Sequence, residues 1–463
     1  MYAISDFCNS LNGVPFTVDP LEVRTKSRDY FAISPLLRKA LAGKTADVVV
    51  SPRTKAEVID AVRAAVRHRI PITTRGGGTA NYGQSVPLHG GVLLDMTQFK
   101  GVVWSRPGQV RAYAGTMMSD LDAVIRPQGW ELRLHPSTRS TSTIAGFVAG
   151  GSGGMGSCQW GMLRERGNIT AMEVISAEEE PRTLELRGAD VALVHHAYGA
   201  NAIMTEVEMP TAPAWAWREV VAAFPDYMGA VRFGIQLARE TGIVKKVLSL
   251  QEWPVARLMG EVGAAVPDGH TMVNTMIAAP FFEAFETLVA ACGGTIVSNH
   301  AEGEGPYGLP LYEFTYGHGL KQIQKANSKY TGLQGLFAGS DVVGMIERVH
   351  RRFAGQMPIR AEIFWSQGDV VAMGSPAILY ESEEQMAGLV RILQDEGVNI
   401  ANSHTTGVLA VGIKQVDERD ASFKAEMDPY NLLNPGKLEF GDGQSKPLDS
   451  SLPTSGWHFR KVG

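Results

Sequence analysis

Four glycines fall within the eleven residues RGGGTANYGQS, which run from Arg75 to Ser85. Glycine has no Cβ, so it turns with positive φ and lets main-chain N–H groups approach a ligand closely. Successive N–H groups that point into one concavity form a binding site for an anion such as phosphate. The same composition is also typical of an ordinary glycine-rich loop, and this segment alone favours neither interpretation.

A second glycine-rich segment, HPSTRSTSTIAGFVAGGSGGMGS, runs from His135 to Ser157. Within it, Gly151, Gly153 and Gly156 match the G-x-G-x-x-G pattern. That pattern binds a dinucleotide where it follows a strand and opens a helix. The residues after it, SCQWGMLRERGN, are poor helix formers, so the sequence argues against a Rossmann loop here.

The same segment contains G-x-S-x-G, the nucleophile elbow of serine hydrolases, at residues 150–154. The preceding TIAGFVA is compatible with a strand, and His404 lies downstream in the required chain order. However, no good helix follows the pattern, and its surroundings hold more glycine than one strained turn needs. A serine hydrolase that uses Ser152 therefore remains an alternative hypothesis.

Taken together, the two segments could hold one long, doubly charged ligand, a dinucleotide bound without a Rossmann fold. The elements around them fit this idea. Residues 47–50 and 70–74 are predicted strands, and Ser51-Pro52 is the predicted start of the helix between them. The second strand of this β-α-β unit leads directly into the first glycine loop.

The length, the net charge and the number of cysteines limit which classes of protein this chain can belong to. A chain of 463 residues, with 44% hydrophobic and 20% charged residues, has material for two or more globular domains. The net charge of -5 argues against a nucleic-acid-binding protein. Three widely spaced cysteines predict no disulfide framework, and we find neither a signal peptide nor a run long enough to span a membrane. We therefore expect a cytoplasmic protein.

The prolines and the change in residue pattern at TAPAWAWR predict a domain boundary near Pro213. The segments REVVAAF and IVKKVLSL are predicted strands around a helix, and a similar β-α-β pattern follows at TMVNTMIAA and GGTIVSN. IRAEIFW and VVAMGS predict a hairpin, as do ITAMEVIS and RTLELRG before the boundary. The second domain is thus predicted to be α+β.

Four motifs occur in the order VVVSPRTKAEVIDAVRAAVRHRIPITTRGGGTANYGQS, HPSTRSTSTIAGFVAGGSGG, NAIMTEVEM and DPYNLLNPGKL. With them the chain resembles the FAD-linked oxidases and dehydrogenases of the vanillyl-alcohol oxidase (p-cresol methylhydroxylase, PCMH-type) superfamily. The resemblance covers roughly residues 45–212 and 401–440. It implies an α+β fold: a PCMH-type FAD-binding domain of two αβ subdomains, with an α+β, ferredoxin-like cap domain.

On this basis residues 1–212 form the FAD-binding domain, residues 213–400 the substrate or cap domain, and residues 401–463 a return segment with a C-terminal tail. The resemblance implies that the first glycine loop binds the pyrophosphate and that the second segment runs beside the flavin and ribityl chain. Ile203 is implied near the adenosine end, and LNPGK near the flavin ring. The implied FAD-binding residues are Arg75, Gly76, Gly77, Gly78, Thr79, Tyr82, Gly83, Gln84, Pro136, Ser137, Thr141, Thr143, Ala145, Gly146, Ile203, Asn434 and Lys437.

The sequence departs from the family pattern in two respects. Members with a histidyl-linked flavin carry the histidine where Thr79 stands, and HPSTRSTSTIAG contains no cysteine for a cysteinyl link. We therefore predict that FAD is bound without a covalent bond. The E-H-G segment of the hydroxy-acid dehydrogenases is replaced by NSHTTGV, so we predict no metal site.

Flavin oxidation of an alcohol needs a base for the hydroxyl proton, and histidine is suited to this role. His404 and His318 are the candidates, each alternatively a hydrogen-bonded structural histidine, and Tyr430 is a candidate for polarising the substrate. His195-His196 are predicted to face solvent. Glu302 and its acidic neighbours in NHAEGEGPYG are read as a mobile loop rather than as cation ligands.

The sequence thus predicts an FAD-dependent oxidoreductase that oxidises the CH–OH group of a small hydroxy acid or alcohol. Its expected partners are this substrate and an electron acceptor, either oxygen or a carrier, and the sequence does not indicate an oligomeric state. The serine hydrolase and a flavin-binding protein without redox turnover are the alternatives.

Overall fold

A computed structural model describes residues 2–438 and residue 440 of the chain. It divides into two compact units. Of the described residues, the first contains the chain up to Ser152, Arg166–Pro213 and the segment from His404 to residue 440, and the second contains Gly153–Glu165 and Ala214–Ser403. The expected C-terminal tail, from residue 441, lies outside the described residues.

The strands of the described residues are β1 (Phe16–Thr17), β2 (Val48–Val50), β3 (Ile72–Arg75), β4 (Val92–Asp95), β5 (Val102–Arg106), β6 (Gln109–Tyr113), β7 (Trp130–Leu132), β8 (Ala171–Ile175), β9 (Thr183–Arg187), β10 (Ile203–Pro213), β11 (Trp217–Phe224), β12 (Lys245–Gln251), β13 (Thr271–Ala278), β14 (Thr295–Ala301), β15 (Tyr330–Thr331), β16 (Gln334–Phe337), β17 (Ile359–Ser366), β18 (Asp369–Pro376), β19 (Ile378–Leu379) and β20 (Asn399–Ala401).

The α-helices are α1 (Ile4–Asn9), α2 (Pro20–Lys26), α3 (Pro35–Ala40), α4 (Lys55–Arg67), α5 (Met118–Ile125), α6 (Ile144–Gly150), α7 (Ser157–Trp160), α8 (Val191–Val194), α9 (Tyr227–Arg239), α10 (Glu261–Ala264), α11 (Phe282–Ala291), α12 (Tyr316–Ala326), α13 (Val342–Arg352), α14 (Glu383–Asp395), α15 (Val408–Val411) and α16 (Glu418–Met427). No helix among the described residues combines the length and the apolar character that a membrane crossing requires.

The β-α-β unit predicted ahead of the glycine loop is confirmed as β2, α4 and β3. Its sheet has the order β1-β2-β4-β3, with β4 parallel to both β2 and β3. The predicted start of the helix at Ser51-Pro52 is wrong. The helix begins at Lys55, because Thr54 accepts the N–H of Glu57 with its side chain and is the N-cap.

The second sheet of the first unit is antiparallel in the order β5-β6-β10-β8-β9, with β7 paired to the end of β10. The predicted pairing of ITAMEVIS with RTLELRG is confirmed in β8 and β9. The segment NAIMTEVEMP forms β10 in the middle of this sheet. This strand lies between β6 and β8, and all of its residues except the last are buried.

The segment TIAGFVA is helical, so the strand suggested for it is wrong. Thr143 accepts the N–H of Gly146 at 3.1 Å and caps α6, which ends at Gly150. Neither the G-x-S-x-G nor the G-x-G-x-x-G pattern therefore follows a strand. Both a nucleophile elbow and a Rossmann loop require that strand, so the geometry supports neither.

The second unit repeats one topology twice. The elements β11-α9-β12-β13-α11-β14 form a sheet in the order β14-β11-β13-β12, and β16-α13-β17-β18-α14-β20 form one in the order β20-β16-β18-β17. Antiparallel pairing of β12 with β17 joins the two repeats into one eight-stranded sheet. The hairpin predicted from IRAEIFW and VVAMGS is confirmed as β17 and β18.

The two faces of this sheet have different partners. On one face, Phe224 lies against Phe233 of α9, with the ring centroids 4.8 Å apart. On the other face, Val221 and Met272 pack in one cluster with Ile323 of α12. The second face also carries a buried polar row along the joint between the repeats, made of Ser249, Gln251, Arg360 and Glu362.

Candidate functional site

The first unit contains a cleft with about 720 Å³ of empty space. Its walls come from the end of β3 with the first glycine loop, from α6, and from the segment that leads into β10. The lining residues are Thr74, Arg75, Gly76, Gly77, Gly78, Thr79, Ala80, Gln84, Ser85, Met96, Ala114, Thr143, Ala145, Gly146, Ala149, Gly150, Tyr198, Gly199, Ala202 and Met204.

The first glycine loop packs so closely on the second polar segment that side chains do not fit. A Cβ on Gly77 would lie 1.7 Å from the main-chain oxygen of Thr141, and one on Gly76 would lie 2.1 Å from Oγ1 of Thr143. Within the described part of the chain, the N–H groups of Gly77, Gly78 and Thr79 donate to no protein acceptor. The loop therefore presents bare backbone donors to the cleft, as an anion site requires.

Arg75 adds positive charge to this loop. Its guanidinium folds over Gly78, where a Cβ would lie 1.6 Å from Nη1, and Gly78 itself has a φ of 66°. Burial lowers the pKa of Arg75, while the carboxylates of Asp95 and Asp29 act in the opposite direction. An arginine remains charged under these conditions and favours a bound anion.

The second wall is the small-residue side of α6. Ala145, Gly146, Ala149 and Gly150 are cleft-lining residues on this helix, and none carries more than a methyl group. A flat ring system can approach a helix of this kind closely because no side chain intervenes. Thr143 belongs to the same wall through its cap of the helix.

The C-terminal segment runs parallel to β3, where Leu433 forms a bridge with Ile72. This brings in Asn434, which is fully buried with a φ of 39°. Its Nδ2 donates to the main-chain oxygen of Gln84 at 2.9 Å and to that of Tyr198 at 2.8 Å. Asn434 thus ties together two segments that line the cleft, although it is not itself a lining residue.

Lys437 lies behind the glycine loop. Its Nζ donates to the main-chain oxygen of Gly83 at 2.6 Å, and its side chain is 2% exposed. Burial lowers the pKa of Lys437, and the nearby carboxyl of Asp29 opposes this change. Burial likewise raises the pKa of Asp29, which accepts the N–H of Phe31.

The sequence-predicted cofactor residues fall into two groups. Those that line the cleft are Arg75, Gly76, Gly77, Gly78, Thr79, Gln84, Thr143, Ala145 and Gly146. Those whose side chains lie elsewhere in the first unit are Tyr82, Gly83, Pro136, Ser137, Thr141, Ile203, Asn434 and Lys437. Ile203 is 1% exposed and faces the core, whereas its neighbours Ala202 and Met204 line the cleft.

The segment HHAYGAN is a part of the site that sequence reasoning missed. The prediction that His195 and His196 face solvent is wrong, since they are 7% and 4% exposed. The ring of His196 occupies the space beside Gly151, where a Cβ would lie 2.0 Å from it. Tyr198, with a φ of 54°, and Gly199 follow and line the cleft. Gly199 was the one local signal of this turn in the sequence.

Two of the three catalytic candidates lie in the first unit, away from the cleft lining. His404 is 3% exposed, and its Nδ1 lies 2.8 Å from Oγ of Ser34, the N-cap of α3. Tyr430 is 42% exposed, and the guanidinium of Arg69 lies 3.7 Å above its ring. Its surroundings are those of a surface stacking pair.

The third candidate, His318, lies in the second unit on α12. Its Nδ1 is hydrogen-bonded to Oε2 of Glu313, and both side chains are 16% exposed. A carboxylate at Nδ1 fixes the neutral tautomer, so that Nε2 is the nitrogen that can accept a proton. This pair has the local arrangement of an oriented general base.

Among the described residues, no group of three or more His, Cys, Asp or Glu side chains is placed to hold a metal ion. His300 ends up on β14, next to Tyr307.

Comparison with known proteins covers the elements that form much of the cleft wall. The family model described as FAD binding domain matches residues 46–185, which carry the β-α-β unit, the first glycine loop and α6. This match and the relatives below fit the vanillyl-alcohol oxidase superfamily of FAD-linked oxidoreductases, which the sequence resembles. The FAD-linked relatives support an FAD-dependent oxidoreductase rather than a flavin-binding protein without redox turnover.

Two relatives match most of the chain. Glycolate oxidase subunit GlcD of Escherichia coli (strain K12) is 23% identical over 84% of this chain and 83% of its own. D-lactate dehydrogenase of Archaeoglobus fulgidus is 26% identical over 84% of this chain and 91% of its own.

Two solved structures are similar to this chain in fold. Alkyldihydroxyacetonephosphate synthase has a TM-score of 0.70 at 17% identity, covering 94% of this chain and 86% of that one. The 4-ethylphenol oxidase from Gulosibacter chungangensis has a TM-score of 0.64 at 16% identity, covering 94% and 96%.

Proposed function

We propose that this protein oxidises the CH–OH group of a small hydroxy acid or alcohol with FAD as the hydride acceptor, and that oxygen or a carrier reoxidises the flavin. The observation that carries the proposal is the cleft whose loop presents the N–H groups of Gly77, Gly78 and Thr79 as bare donors. The names of the two relatives, glycolate oxidase and D-lactate dehydrogenase, support a 2-hydroxy acid as substrate.

The cleft fits FAD by its chemistry. The glycine loop and Arg75 suit a pyrophosphate, and the methyl-or-smaller side of α6 suits a planar ring system. When bound, FAD supplies an acceptor for the hydride. The work left to the chain is to hold the substrate, to exclude water and to take the hydroxyl proton.

For the proton we propose Nε2 of His318. Glu313 holds Nδ1 and stabilises the imidazolium that forms when Nε2 accepts the proton. His404 is the second candidate, but its Nδ1 contact with Ser34 ties it to the N-cap of a neighbouring helix.

We further propose that FAD is held without a covalent bond. The Oγ1 of Thr79, at the position where histidyl-linked relatives carry histidine, lies 2.6 Å from Oγ of Ser142. A hydroxyl in this hydrogen bond positions the loop but forms no stable link to a flavin.

For the architecture, we propose that the second unit is a ferredoxin-like cap and that the first unit consists of two αβ subdomains. The repeated β-α-β-β-α-β order supports the former. The two separate sheets of the first unit support the latter.

The first test is an absorbance spectrum of the purified protein, repeated on the supernatant after acid precipitation. We expect flavin bands that move entirely into the supernatant. Anaerobic addition of glycolate, D-lactate and other 2-hydroxy acids should then bleach the flavin, and simple alcohols and amines complete the panel.

Different outcomes of this experiment would overturn different parts of the proposal. Flavin in the pellet would overturn the non-covalent attachment. A colourless protein that takes up no FAD would contradict the assignment of the cleft. A Ser152→Ala variant serves as the control for the hydrolase alternative, and loss of an esterase activity in it would support that alternative.

A further inference from the structure

The first glycine loop is hydrogen-bonded to a short segment of the N-terminal region, residues 28–31. The N–H of Tyr30 donates to the carbonyl of Ala80 at 2.7 Å, and Nη1 of Arg75 donates to the carbonyl of Arg28 at 3.4 Å. Ala80 and Arg75 both line the cleft. The segment therefore supports the loop, although it precedes the residues that the family model matches and contains none of the sequence-predicted cofactor residues.

Asp29, in the middle of this segment, has one carboxyl oxygen with a donor and one without. Its Oδ1 accepts the N–H of Phe31 at 2.9 Å. Its Oδ2 is shielded from solvent, although the residue as a whole is partly exposed, and has no hydrogen-bond partner among the described residues. A buried carboxylate oxygen without a donor is unfavourable, and a proton on the carboxyl group removes the charge. In line with this, burial raises the pKa of Asp29 to about 6.

Two cations from other parts of the first unit stabilise the ionised form of Asp29. Lys437 of the C-terminal segment and Arg75 at the end of β3 both act to lower its pKa. Neither cation is hydrogen-bonded to the carboxylate, since Nζ of Lys437 donates to the carbonyl of Gly83 and Nη1 of Arg75 to that of Arg28. Asp29 is thus held ionised by charges at a distance, and not by a direct ion pair.

The other ionisable groups near Asp29 are neutral or already paired. Burial raises the pKa of Tyr198 and of Tyr82, so both stay neutral at physiological pH. The carboxylate of Asp95 forms an ion pair with Lys26. A change of charge in the cleft therefore acts mainly on Asp29 and on the two cations that face it.

Of these, Asp29 is the group most exposed to such a change. Burial lowers the pKa of Lys437 to about 7, but its Nζ has an acceptor at 2.6 Å, the carbonyl of Gly83, which favours the ammonium form. Lys437 is not a cleft-lining residue, whereas Arg75, which acts on Asp29, lines the cleft. Arg75 therefore links the charge in the cleft to the charge of Asp29.

A pyrophosphate at this loop changes the balance. Arg75 stabilises the carboxylate of Asp29 as long as no other anion is near. When a doubly charged pyrophosphate binds, Arg75 shares its positive charge with the phosphates, and the phosphates repel the carboxylate. Both effects favour the protonated carboxyl group.

We propose that Asp29 is the counter-charge of Arg75 in the FAD-free protein and that it takes up a proton when FAD binds. The proton comes from solvent and adds to the carboxyl group, and no covalent bond of FAD changes. The proposal rests on FAD as the occupant of the cleft, which belongs to the proposed function, and not on the substrate. Its consequence is that the affinity for FAD falls as the pH rises.

The first measurement is the dissociation constant of FAD for the full-length apoprotein, by fluorescence titration from about pH 5 to 9. Below the pKa of Asp29 in the free protein, both states hold the proton and the affinity is constant. Above it only the complex holds the proton, so the dissociation constant should rise by up to about tenfold per pH unit until the complex also loses it. Calorimetry near pH 7 in two buffers of different ionisation enthalpy should show net proton uptake.

The variant that assigns the proton is Asp29→Asn. The amide keeps an oxygen acceptor for the N–H of Phe31 and resembles the protonated acid. We expect this variant to lose the pH dependence and to bind FAD at least roughly threefold more tightly than the wild type near pH 8. Asp6→Asn, at an exposed position on α1, is the control and should keep the wild-type dependence. If Asp29→Asn does not fold, the proton count of the wild type decides alone.

The outcomes separate this proposal from the proposed function. A wild type that binds FAD with the same affinity across the range, or without proton uptake, overturns the role of Asp29 and leaves the cleft assignment intact. A pH dependence that persists in Asp29→Asn also overturns it, and its loss on further replacement of Lys437 by methionine would assign the proton to Lys437. If the protein binds no FAD at any pH, both proposals fall.

Discussion

Lys437 reaches from the C-terminal segment to donate a 2.6 Å hydrogen bond to the carbonyl of Gly83, 354 residues earlier in the chain. With Asn434, which bonds the carbonyl of Gln84, it fixes the exit of the first glycine loop from behind. The loop is thus held at both ends. β3 fixes its start, and the C-terminal segment fixes its end.

Replacing Lys437 with methionine should weaken FAD binding. The change keeps the buried chain but removes the cation and leaves the carbonyl of Gly83 without this donor, so we expect a dissociation constant at least roughly tenfold higher. Fluorescence titration of the apoprotein with FAD measures it. Lys39→Met, at an exposed position on α3, is the control. Equal affinities in the two variants would contradict a role for Lys437.

Gly77→Ala should abolish the cleft's capacity for FAD. Its new methyl group would lie 1.7 Å from the main-chain oxygen of Thr141, so one of the two segments must move. We expect purified protein with less than about a tenth of the wild-type flavin content. Gly388→Ala, in the interior of α14 with open space around it, should keep full content and be slightly more stable. Normal flavin content in Gly77→Ala would show that the loop accommodates a side chain.

The two histidine candidates should behave differently. His318→Ala removes the proposed base, and we expect flavin bleaching to slow by about 10²–10⁴-fold with the melting temperature little changed. His404→Ala removes a buried partner of Ser34, and we expect a loss of about 1–3 kcal/mol in stability with a smaller effect on the rate. Stopped-flow bleaching and thermal melts of both variants decide the matter, and the reverse pattern would assign the base to His404.

The stability of the second unit should fall as the pH rises above neutrality. The hydrogen bond from Nε2 of His350 to Glu252, 2.8 Å long, raises the pKa of His350 in the folded protein. Its contribution is therefore complete below the unfolded pKa of about 6.5 and is lost as the pH rises through the higher folded value. We expect a loss of about 1 kcal/mol across this window, and a smaller dependence in His350→Gln. Melting curves from about pH 6 to 9 would show it, and an equal slope in both proteins would refute it.

The sequence predicted what depends on local pattern. The β-α-β unit and the glycine loop follow from hydrophobic periodicity and bare backbone, and the hairpin of β17 and β18 follows from alternation. The start of α4 was misjudged because Ser51-Pro52 is a good local signal, yet Thr54 makes the actual cap. The sequence offers two candidate caps for this helix, and only the folded backbone brings the Thr54 hydroxyl to the N–H of Glu57.

Other parts of the site depend on contacts between residues that lie far apart in the sequence. Nothing near His196 indicates that its ring fills the gap beside Gly151, and the polar pair His195-His196 reads as a surface feature. Likewise, Ile203 is buried while its neighbours Ala202 and Met204 line the cleft. Which of them faces the cleft depends on how the strand is oriented in the folded sheet.

The duplicated sheet of the second unit has a consequence for aggregation. In either repeat alone, β12 or β17 would be an edge strand, with a row of unpaired main-chain donors and acceptors. Pairing these two strands removes both edges at once and leaves β14 and β20 at the margins of the sheet. A fragment that contains only one repeat would regain a long exposed edge and should associate with its own copies through it.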